Sequence, residues 1–174
     1  MDKGYASLKD ERMNIRKIIT WLTLSMLLSS GIAIAADFNK GLQAYNSGDF
    51  KTALAEWTPL AEQGNAQAQY NLGLMYRNGR GVPENDKTAV KWYTLAAEQG
   101  LAIAQSNLGF MHARGSGVLT DSKRANMWFN LGSYNGDEVA GENKDIIAKQ
   151  MTPADISKAQ DMSSACLASN YTDC

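Results

Sequence analysis

Two cysteines and one histidine are the residues of this 174-residue sequence whose types are best suited to chemistry. Cys166 and Cys174 lie close together near the carboxyl end, where they could form a structural disulfide, a redox dithiol or part of a metal site. A redox pair usually has the spacing Cys-x-x-Cys at the start of a helix. Two thiols with one distant histidine make a poor zinc site. The spacing therefore favours a structural disulfide.

His112 is the single histidine, and a catalytic role for it would require a nucleophile that the sequence does not reveal. The chain has no P-loop motif, no nucleophile elbow and no His-Glu-x-x-His zinc motif. We therefore predict a protein that is not an enzyme and that has no catalytic residue, cofactor or metal site. His112 is instead expected to be a partly buried packing residue.

A long internal repeat organises the middle of the chain. Glu62-Gln63-Gly64 recurs 36 positions later as Glu98-Gln99-Gly100, and Asn71-Leu72-Gly73 recurs as Asn107-Leu108-Gly109. The match continues without a gap as far as Leu131. A match of this length at a fixed period identifies a repeat protein.

The pattern of residues within each repeat predicts two helices joined by a turn that contains glycine. The segments that begin at Ala66 and Ala102 carry apolar or small residues at the three-and-four spacing of an amphipathic helix. The Gly-x-Gly-Val connector supplies backbone positions with positive φ, where a Cβ atom would be costly. Gly73 and Gly109 lie inside the first helices, so we predict a close helix approach there that a side chain would block.

The repeated residues resemble the Sel-one-like repeat family, which is related to tetratricopeptide repeats. The sequence AQAQYNLGLMYRNGRGVPENDKTAVKWYTLAAEQG follows that family's pattern almost throughout, and the next unit departs from it at His112, Leu119 and Gly132-Ser133. The resemblance implies an all-α fold, a right-handed α/α solenoid of helix–turn–helix repeats, whose members commonly act as adaptors. The predicted repeat region is 37–136, with a short unit at 38–64 and full units at 65–100 and 101–136.

The amino-terminal segment has the features of an export signal. No residue from 18 to 36 is charged, and Arg16 and Lys17 precede this stretch. Ala33-Ile34-Ala35 supplies small residues of the kind that precede a cleavage site. Nineteen uncharged residues would also be long enough for an uncleaved membrane anchor.

We therefore predict a signal peptide over 1–36, with Met13 as a possible true start and with cleavage near Ala35 or Ala36. The expected location is the periplasm or the exterior of the cell, with membrane contact only through the signal. Without residues 1–36 the chain has 12 basic and 15 acidic residues, and this balance argues against nucleic acid as a partner.

The remaining segment, 137–174, is predicted to cap the solenoid with two helices and the disulfide between Cys166 and Cys174, because an oxidising compartment favours pairing. We expect a packing face on the first of these helices at Val139, Ile146 and Ile147. We expect the second helix to have Thr152 as its N-cap and Pro153 as its first residue.

The first helices of successive repeats usually line the surface on which partners of a solenoid bind. The predicted binding groove combines aromatic, amide and arginine side chains that suit peptide recognition: Gln67, Tyr70, Asn71, Leu74, Arg77, Ile103, Ser106, Asn107, Phe110 and Arg114. An ordinary solvated surface is the alternative. The expected partner is an unidentified envelope protein or peptide. The alternative function, which the resemblance also implies, is that of a cell-wall or β-lactam-related hydrolase, because some exported cysteine-rich relatives are linked to β-lactam hydrolysis.

Overall fold

A computed structural model of the protein describes residues 36–172 and 174, so the predicted signal peptide, apart from Ala36, lies outside the described residues. The described residues form helices and turns and contain no strand. The helices are α1 (Phe38–Ser47), α2 (Phe50–Glu62), α3 (Ala66–Asn78), α4 (Asp86–Ala97), α5 (Ala102–Arg114), α6 (Ser122–Tyr134), α7 (Glu138–Ala148) and α8 (Pro153–Ala168). None of them is both long and apolar enough to cross a bilayer.

Helices α1 and α2, α3 and α4, and α5 and α6 pack as successive hairpins, and each hairpin packs on the next. The predicted all-α solenoid is confirmed. The glycine connectors have the backbone that the sequence requires, with φ of 63° at Gly79, 74° at Gly81 and 70° at both Gly115 and Gly117. Other residues rarely adopt such angles, and this explains the glycines of both full repeats.

The glycines inside the first helices allow an aromatic ring to lie against the backbone. A Cβ atom at Gly73 would be 2.5 Å from Cε1 of Tyr93, and one at Gly109 would be 2.5 Å from Cδ1 of Phe129. These distances are too short for any side chain, so the predicted close approach is confirmed. Each first helix is thereby fixed against the second helix of its own hairpin.

Glutamine side chains hold neighbouring hairpins in register. The side-chain amides of Gln69 and Gln105 each donate to a backbone carbonyl at the end of the preceding hairpin, at 3.0 Å in both cases. Their side-chain oxygens accept from Gln99 at 2.7 Å and from Asn135 at 2.9 Å, respectively. Because these amides are buried, a satisfied hydrogen bond at each position specifies one arrangement of the two hairpins.

The last two helices continue the solenoid. Helix α7 packs against α6 and touches α5, while α8 packs on α6. Lys123 at the start of α6 forms an ion pair with Asp155 at the start of α8 at 3.2 Å, and Asn135 after α6 bonds to Tyr171 after α8. These contacts join start to start and end to end, so α8 runs parallel to α6. Thr152 caps α8, and proline begins it as predicted.

One expectation for α7 is wrong. Ile147 is buried, but Val139 and Ile146 are 56% and 54% exposed and do not belong to a packing face. The reason is the position of α8, which lies on α6 and leaves this side of α7 open.

Candidate functional site

The predicted groove residues lie on α3 and α5, the first helices of the two full repeats. We call the side of the first helices that carries them the groove face. The structure brings the two helices together through Arg77, whose guanidinium donates to Oδ1 of Asn107 at 3.0 Å. Ile103 is 43% exposed, and the guanidinium of Arg114 lies 5.9 Å from the ring centre of Phe110. These side chains, with Gln67 and Leu74, reach the surface to different extents.

Three of the predicted groove residues are instead buried: Tyr70, Asn71 and Ser106. The ring of Tyr70 packs 5.9 Å from that of Tyr93, and burial raises the pKa of the Tyr70 hydroxyl. Ser106 donates to a side-chain oxygen of Asp137, the N-cap of α7. Tyr70 packs against α4 and Ser106 bonds to the start of α7, both of which follow in the chain, and the periodicity of a single helix cannot show such contacts.

The Nδ2 atom of Asn71 is buried and has no hydrogen-bond partner among the described residues. A buried amide without a partner costs about 1–3 kcal/mol, so this side chain has a strong tendency to bond to any acceptor that reaches it. The position beneath the groove face makes Asn71 part of the candidate site, although it contributes little surface.

The groove face extends onto α7, whereas the predicted groove residues lie only on α3 and α5. Val139, Asn143 and Ile146 follow Ile103, Asn107 and Phe110 by 36 residues. The local geometry is the same, because Asn107 donates to the Ile103 carbonyl at 2.8 Å and Asn143 donates to the Val139 carbonyl at 2.7 Å. The sequence does contain a pattern that predicts this extension, because Ala68, Ala104 and Ala140 are spaced 36 residues apart. All three alanines are fully buried in the structure.

The same pattern is present on α1. Gly41 packs against Trp57 as Gly73 packs against Tyr93, and this places Asn39 in register with Asn71 and Leu42 in register with Leu74. Four successive first helices therefore carry an asparagine row and an apolar row. The asparagine row consists of Asn39, Asn71, Asn107 and Asn143, and the apolar row consists of Leu42, Leu74, Phe110 and Ile146.

His112 lies away from the groove face, in the last turn of α5 and beneath the hairpin loop of the second full repeat. It is buried, and its Nδ1 atom has no partner among the described residues. A surface pocket of about 450 Å³ adjoins it, lined also by Leu119 and Arg124. Burial, and then the charge of Arg124, lower the pKa of His112. The imidazole is therefore held in its neutral form, and the predicted packing role of His112 agrees with its burial.

The two cysteines are bonded to each other, with their Cα atoms 4.8 Å apart. Cys166 is fully buried on α8, and the chain turns back after it through Asn170 and Tyr171, which have φ of 53° and 67°. The hydroxyl of Tyr171 donates to Asn135 Oδ1 at 3.0 Å. The disulfide thus closes a loop that holds Tyr171 against the second full repeat.

The hairpins, their glycine contacts and their repeated amide bonds define the protein as an α-helical repeat solenoid. Residues 66–101 and 102–137 match the family model described as Sel1 repeat. The two full repeats of the chain therefore match Sel1 repeats.

Two solved structures share this fold. One is a protective antigen present in uropathogenic Escherichia coli strains and displaying an SLR fold, with 30% identity and a TM-score of 0.73 over 88% of this chain. The other is a Sel1 repeat protein from Oxalobacter formigenes, with 34% identity and a TM-score of 0.57 over 60% of this chain. The chain spans 34% and 42% of these two proteins, respectively.

A curated relative is the DAP3-binding cell death enhancer 1 of Rattus norvegicus, which is 31% identical over 77 residues. The match covers 44% of this chain and 14% of the rat protein. The similarity therefore involves a small part of a much longer protein.

Proposed function

We propose that the protein is a non-enzymatic adaptor that binds an extended segment of a partner protein or peptide along its groove face. The observation that carries this proposal is the pair of rows, asparagine and apolar, that recurs on four successive first helices. Sel1 repeats are of a protein-interaction scaffold type, which supports the same reading. A row of amides beside a row of apolar side chains matches the backbone and the side chains of an extended peptide.

Each asparagine can satisfy a peptide group, because its side chain both donates and accepts hydrogen bonds. Asn107 and Asn143 each use one N–H on a carbonyl of their own helix, and each side-chain amide has a second N–H. In the apolar row, Leu42 is 40% exposed and Ile146 is 54% exposed. Covering such surface with an apolar side chain of the partner is favourable by about 25 cal/mol per Å².

The guanidinium of Arg77 lies between α3 and α5 on this face. Arginine forms strong paired hydrogen bonds with carboxylates, so a segment with an acidic side chain near this point is the preferred ligand. Binding there would exchange the bond from Arg77 to Asn107 for bonds to the ligand and free the Asn107 oxygen for a peptide N–H.

Export to the periplasm or the exterior belongs to the same proposal. The uncharged stretch from 18 to 36 supports it, and so does the bonded pair of cysteines, since disulfides persist in oxidising compartments. The non-enzymatic character is supported by the roles of the reactive side chains, because the cysteines form the disulfide and His112 is packed beneath a loop.

A photo-crosslinking amino acid tests where partners bind. We would place it at Ile103 on the groove face and, as a matched control, at the exposed Lys91 on α4, and irradiate intact cell envelopes. The proposal expects discrete adducts from position 103, identifiable by mass spectrometry, and none of them from position 91. Equal labelling from both positions would contradict the groove assignment.

A peptide from the identified partner then tests the asparagine row with purified protein. We expect Asn107→Ala and Asn143→Ala each to weaken binding roughly 2- to 10-fold, the value of one hydrogen bond. Asn130→Ala on the second helix α6 is the control and should not change the affinity. A Tyr70→Ala and Phe110→Ala double variant is a poor test, because Tyr70 is buried against Tyr93 and its loss would destabilise the fold.

A further inference from the structure

The first hairpin, α1–α2, contains a buried acidic side chain that contacts the backbone at the start of α1. Glu56 on α2 is only 6% exposed. Its Oε2 atom accepts the backbone N–H of Asp37 at 2.9 Å, and its Oε1 atom accepts from Nζ of Lys40 at 2.5 Å. These hydrogen bonds, the one from Lys40 first, lower the pKa of Glu56. The carboxylate is therefore ionised and directed at the residue that precedes α1.

This acid departs from the repeat. When Trp57 is aligned with Tyr93 by the period of 36, Glu56 takes the position of Trp92 and Trp128. Trp92 packs against the apolar core of the first hairpin, which precedes its own, and Trp128 is buried in the core of the full repeats. The first described hairpin has a carboxylate at this position instead. Burying a charge is costly unless the charge is paired, and here Lys40 pairs with one oxygen of the acid while the N–H of Asp37 occupies the other.

The backbone that Glu56 binds is firmly placed. The indole N–H of Trp57 donates to the Phe38 carbonyl at 3.2 Å, and the two rings lie 6.0 Å apart. The Asp37 side chain is already engaged with the first turn of α1, where it accepts from two backbone N–H groups. The nitrogen of Asp37 is therefore held in contact with Glu56 by the packing of α1 on α2.

We propose that the chain is cleaved between Ala36 and Asp37 and that the new α-ammonium group of Asp37 forms an ion pair with Glu56. The step is a hydrolysis, in which the oxygen of water bonds to the Ala36 carbonyl carbon as its bond to the Asp37 nitrogen breaks. Ala36 leaves as a carboxylate on the released leader, and both hydrogens of the water pass to the Asp37 nitrogen, which becomes an ammonium group. The agent is an export endopeptidase that requires a small residue before the scissile bond, as Ala36 is. This inference rests on the export part of the proposed function.

A free ammonium at this point needs the acid, whereas an amide does not. The amino end of a helix carries a partial positive charge, so an ammonium group next to α1 is repelled by it. Glu56 offsets this repulsion and forms a charge-assisted hydrogen bond, which is about twice as strong as one to a neutral amide. The sequence pattern allows cleavage after Ala35 or after Ala36, and the position of the Asp37 nitrogen selects the second.

Amino-terminal sequencing and intact-mass measurement test the cleavage site. The full chain is produced with its own leader in a bacterial host, and the protein is recovered from the envelope. We expect a single amino terminus at Asp37. A terminus at Ala36, at any other residue, or an uncleaved chain would overturn the proposal, whatever the outcome of the peptide-binding tests.

Four matched proteins test the ion pair independently of processing. They begin at Asp37 or at Ala36, each with Glu56 or with Glu56→Gln, and all contain every described helix. The rate of acylation of the α-amine at pH 7 reports its protonation. We expect the Asp37 protein with Glu56 to react about threefold more slowly than the others, as a pKa raised by half a unit requires.

Equal rates in all four proteins would refute the ion pair, as would the same effect of Glu56→Gln on both starting residues. If the Glu56→Gln proteins do not fold, the comparison of the two unsubstituted chains decides, and equal rates there refute the proposal. Glu62→Gln, an exposed acid on the same helix, should change neither rate. Peptide binding at the groove face is measured in the same samples, so a failure there is seen separately.

Discussion

The hairpins α3–α4 and α5–α6 have the same internal packing but different loops, surfaces and neighbours. In both, a glycine inside the first helix lies against an aromatic ring of the second helix. In both, a glutamine side chain donates a hydrogen bond to a carbonyl of the preceding hairpin. They differ at Tyr76 and His112, at Pro83 and Leu119, and at Tyr70 and Ser106. The shared positions build the helices and their contacts, so the positions that differ are those where one repeat acquires a property the other lacks.

The neighbours of the two hairpins also differ. Asn135 of the second hairpin bonds both to Gln105 and to Tyr171, whereas Gln99 of the first bonds to Gln69 and to its own helix. The carboxyl-terminal loop thus forms hydrogen bonds with the second hairpin, while the ring of Tyr171 also lies beside Gly100 at the end of the first. The four predictions that follow alter one side of this comparison at a time, beginning with the largest expected effect.

Loss of the disulfide should produce the largest difference in stability between the two hairpins. Cys166→Ala with Cys174→Ser opens a short loop, and the chain-entropy model gives a loss of about 2.5 kcal/mol of stability. Hydrogen exchange should rise in α6 and α8 before α3 and α4, because Tyr171 is released from Asn135. An equal increase in the rate of hydrogen exchange in both hairpins would show that the loop stabilises the whole solenoid. Tyr171→Phe, which keeps the disulfide, isolates the hydrogen bond.

Alanine at either inner glycine should be nearly as costly. Gly73→Ala and Gly109→Ala force a methyl group into Tyr93 or Phe129, and overpacking of this kind costs about 1–3 kcal/mol. Urea unfolding of both variants measures whether the two hairpins tolerate it equally. Gly141→Ala on α7 is the control, since its nearest neighbour is the Ser133 hydroxyl at 3.0 Å and alanine favours helix. A stable Gly109→Ala protein would refute the close-packing interpretation.

His112 should make the stability of the second hairpin, α5–α6, decrease at acidic pH more than that of α3–α4. Its pKa is lowered in the folded protein, so the unfolded chain takes up the proton more readily and stability falls as the pH drops below about 6.5. One group contributes at most about 1.4 kcal/mol per pH unit. His112→Tyr, which restores the residue of the first repeat, should reduce the loss of Tm between pH 7 and pH 5. Identical pH profiles would exclude His112 as the cause.

Arg124→Gln provides a check on that prediction. The charge of Arg124 contributes to the lowered pKa of His112, so its removal should raise this pKa and weaken the acid sensitivity without removing it. An NMR titration of the single imidazole measures the pKa directly.

The smallest effect is expected from removing the hydroxyl group of Tyr93, the ring that covers Gly73. The buried hydroxyl of Tyr93 has no hydrogen-bond partner among the described residues, so Tyr93→Phe should be neutral or stabilising by up to about 1 kcal/mol. The reciprocal Phe129→Tyr should destabilise by about 1–3 kcal/mol, because it buries a new hydroxyl in an apolar cluster. Chemical denaturation of both proteins measures the difference. A destabilised Tyr93→Phe would mean that the hydroxyl is bonded in solution.

Much of the framework was predictable from the sequence, because a period of 36 reports the same packing twice. The connector glycines, the close approach at Gly73 and Gly109 and the burial of His112 all follow from residue type at a repeated position. These features depend on the local backbone angles or on contacts within one hairpin, although Gly81 and Gly117 also lie against the preceding hairpin. The pattern of a single unit is sufficient to infer them.

The site was less predictable, because it depends on contacts between hairpins. Tyr70 and Ser106 look exposed on one helix, but the helices that follow cover them. Val139 and Ile146 look like a packing face, but α8 lies on the other side of the layer and leaves them exposed. The sequence does contain the period that places α7 in the groove face, yet only the stacking shows that it continues the face.

The glutamine hydrogen bonds between hairpins have a consequence for the length of the molecule. Gln69 and Gln105 each donate to a carbonyl of the preceding hairpin and accept from a side chain 30 residues further along their own hairpin, Gln99 and Asn135, respectively. A duplicated copy of residues 66–101 would therefore carry the glutamine, its side-chain partner and the carbonyl that accepts from the next glutamine, together with the next asparagine and apolar residue of the two rows. Gene duplication can lengthen the groove by whole units in this way, and the reach of the protein for a longer ligand can grow without a new interface having to evolve.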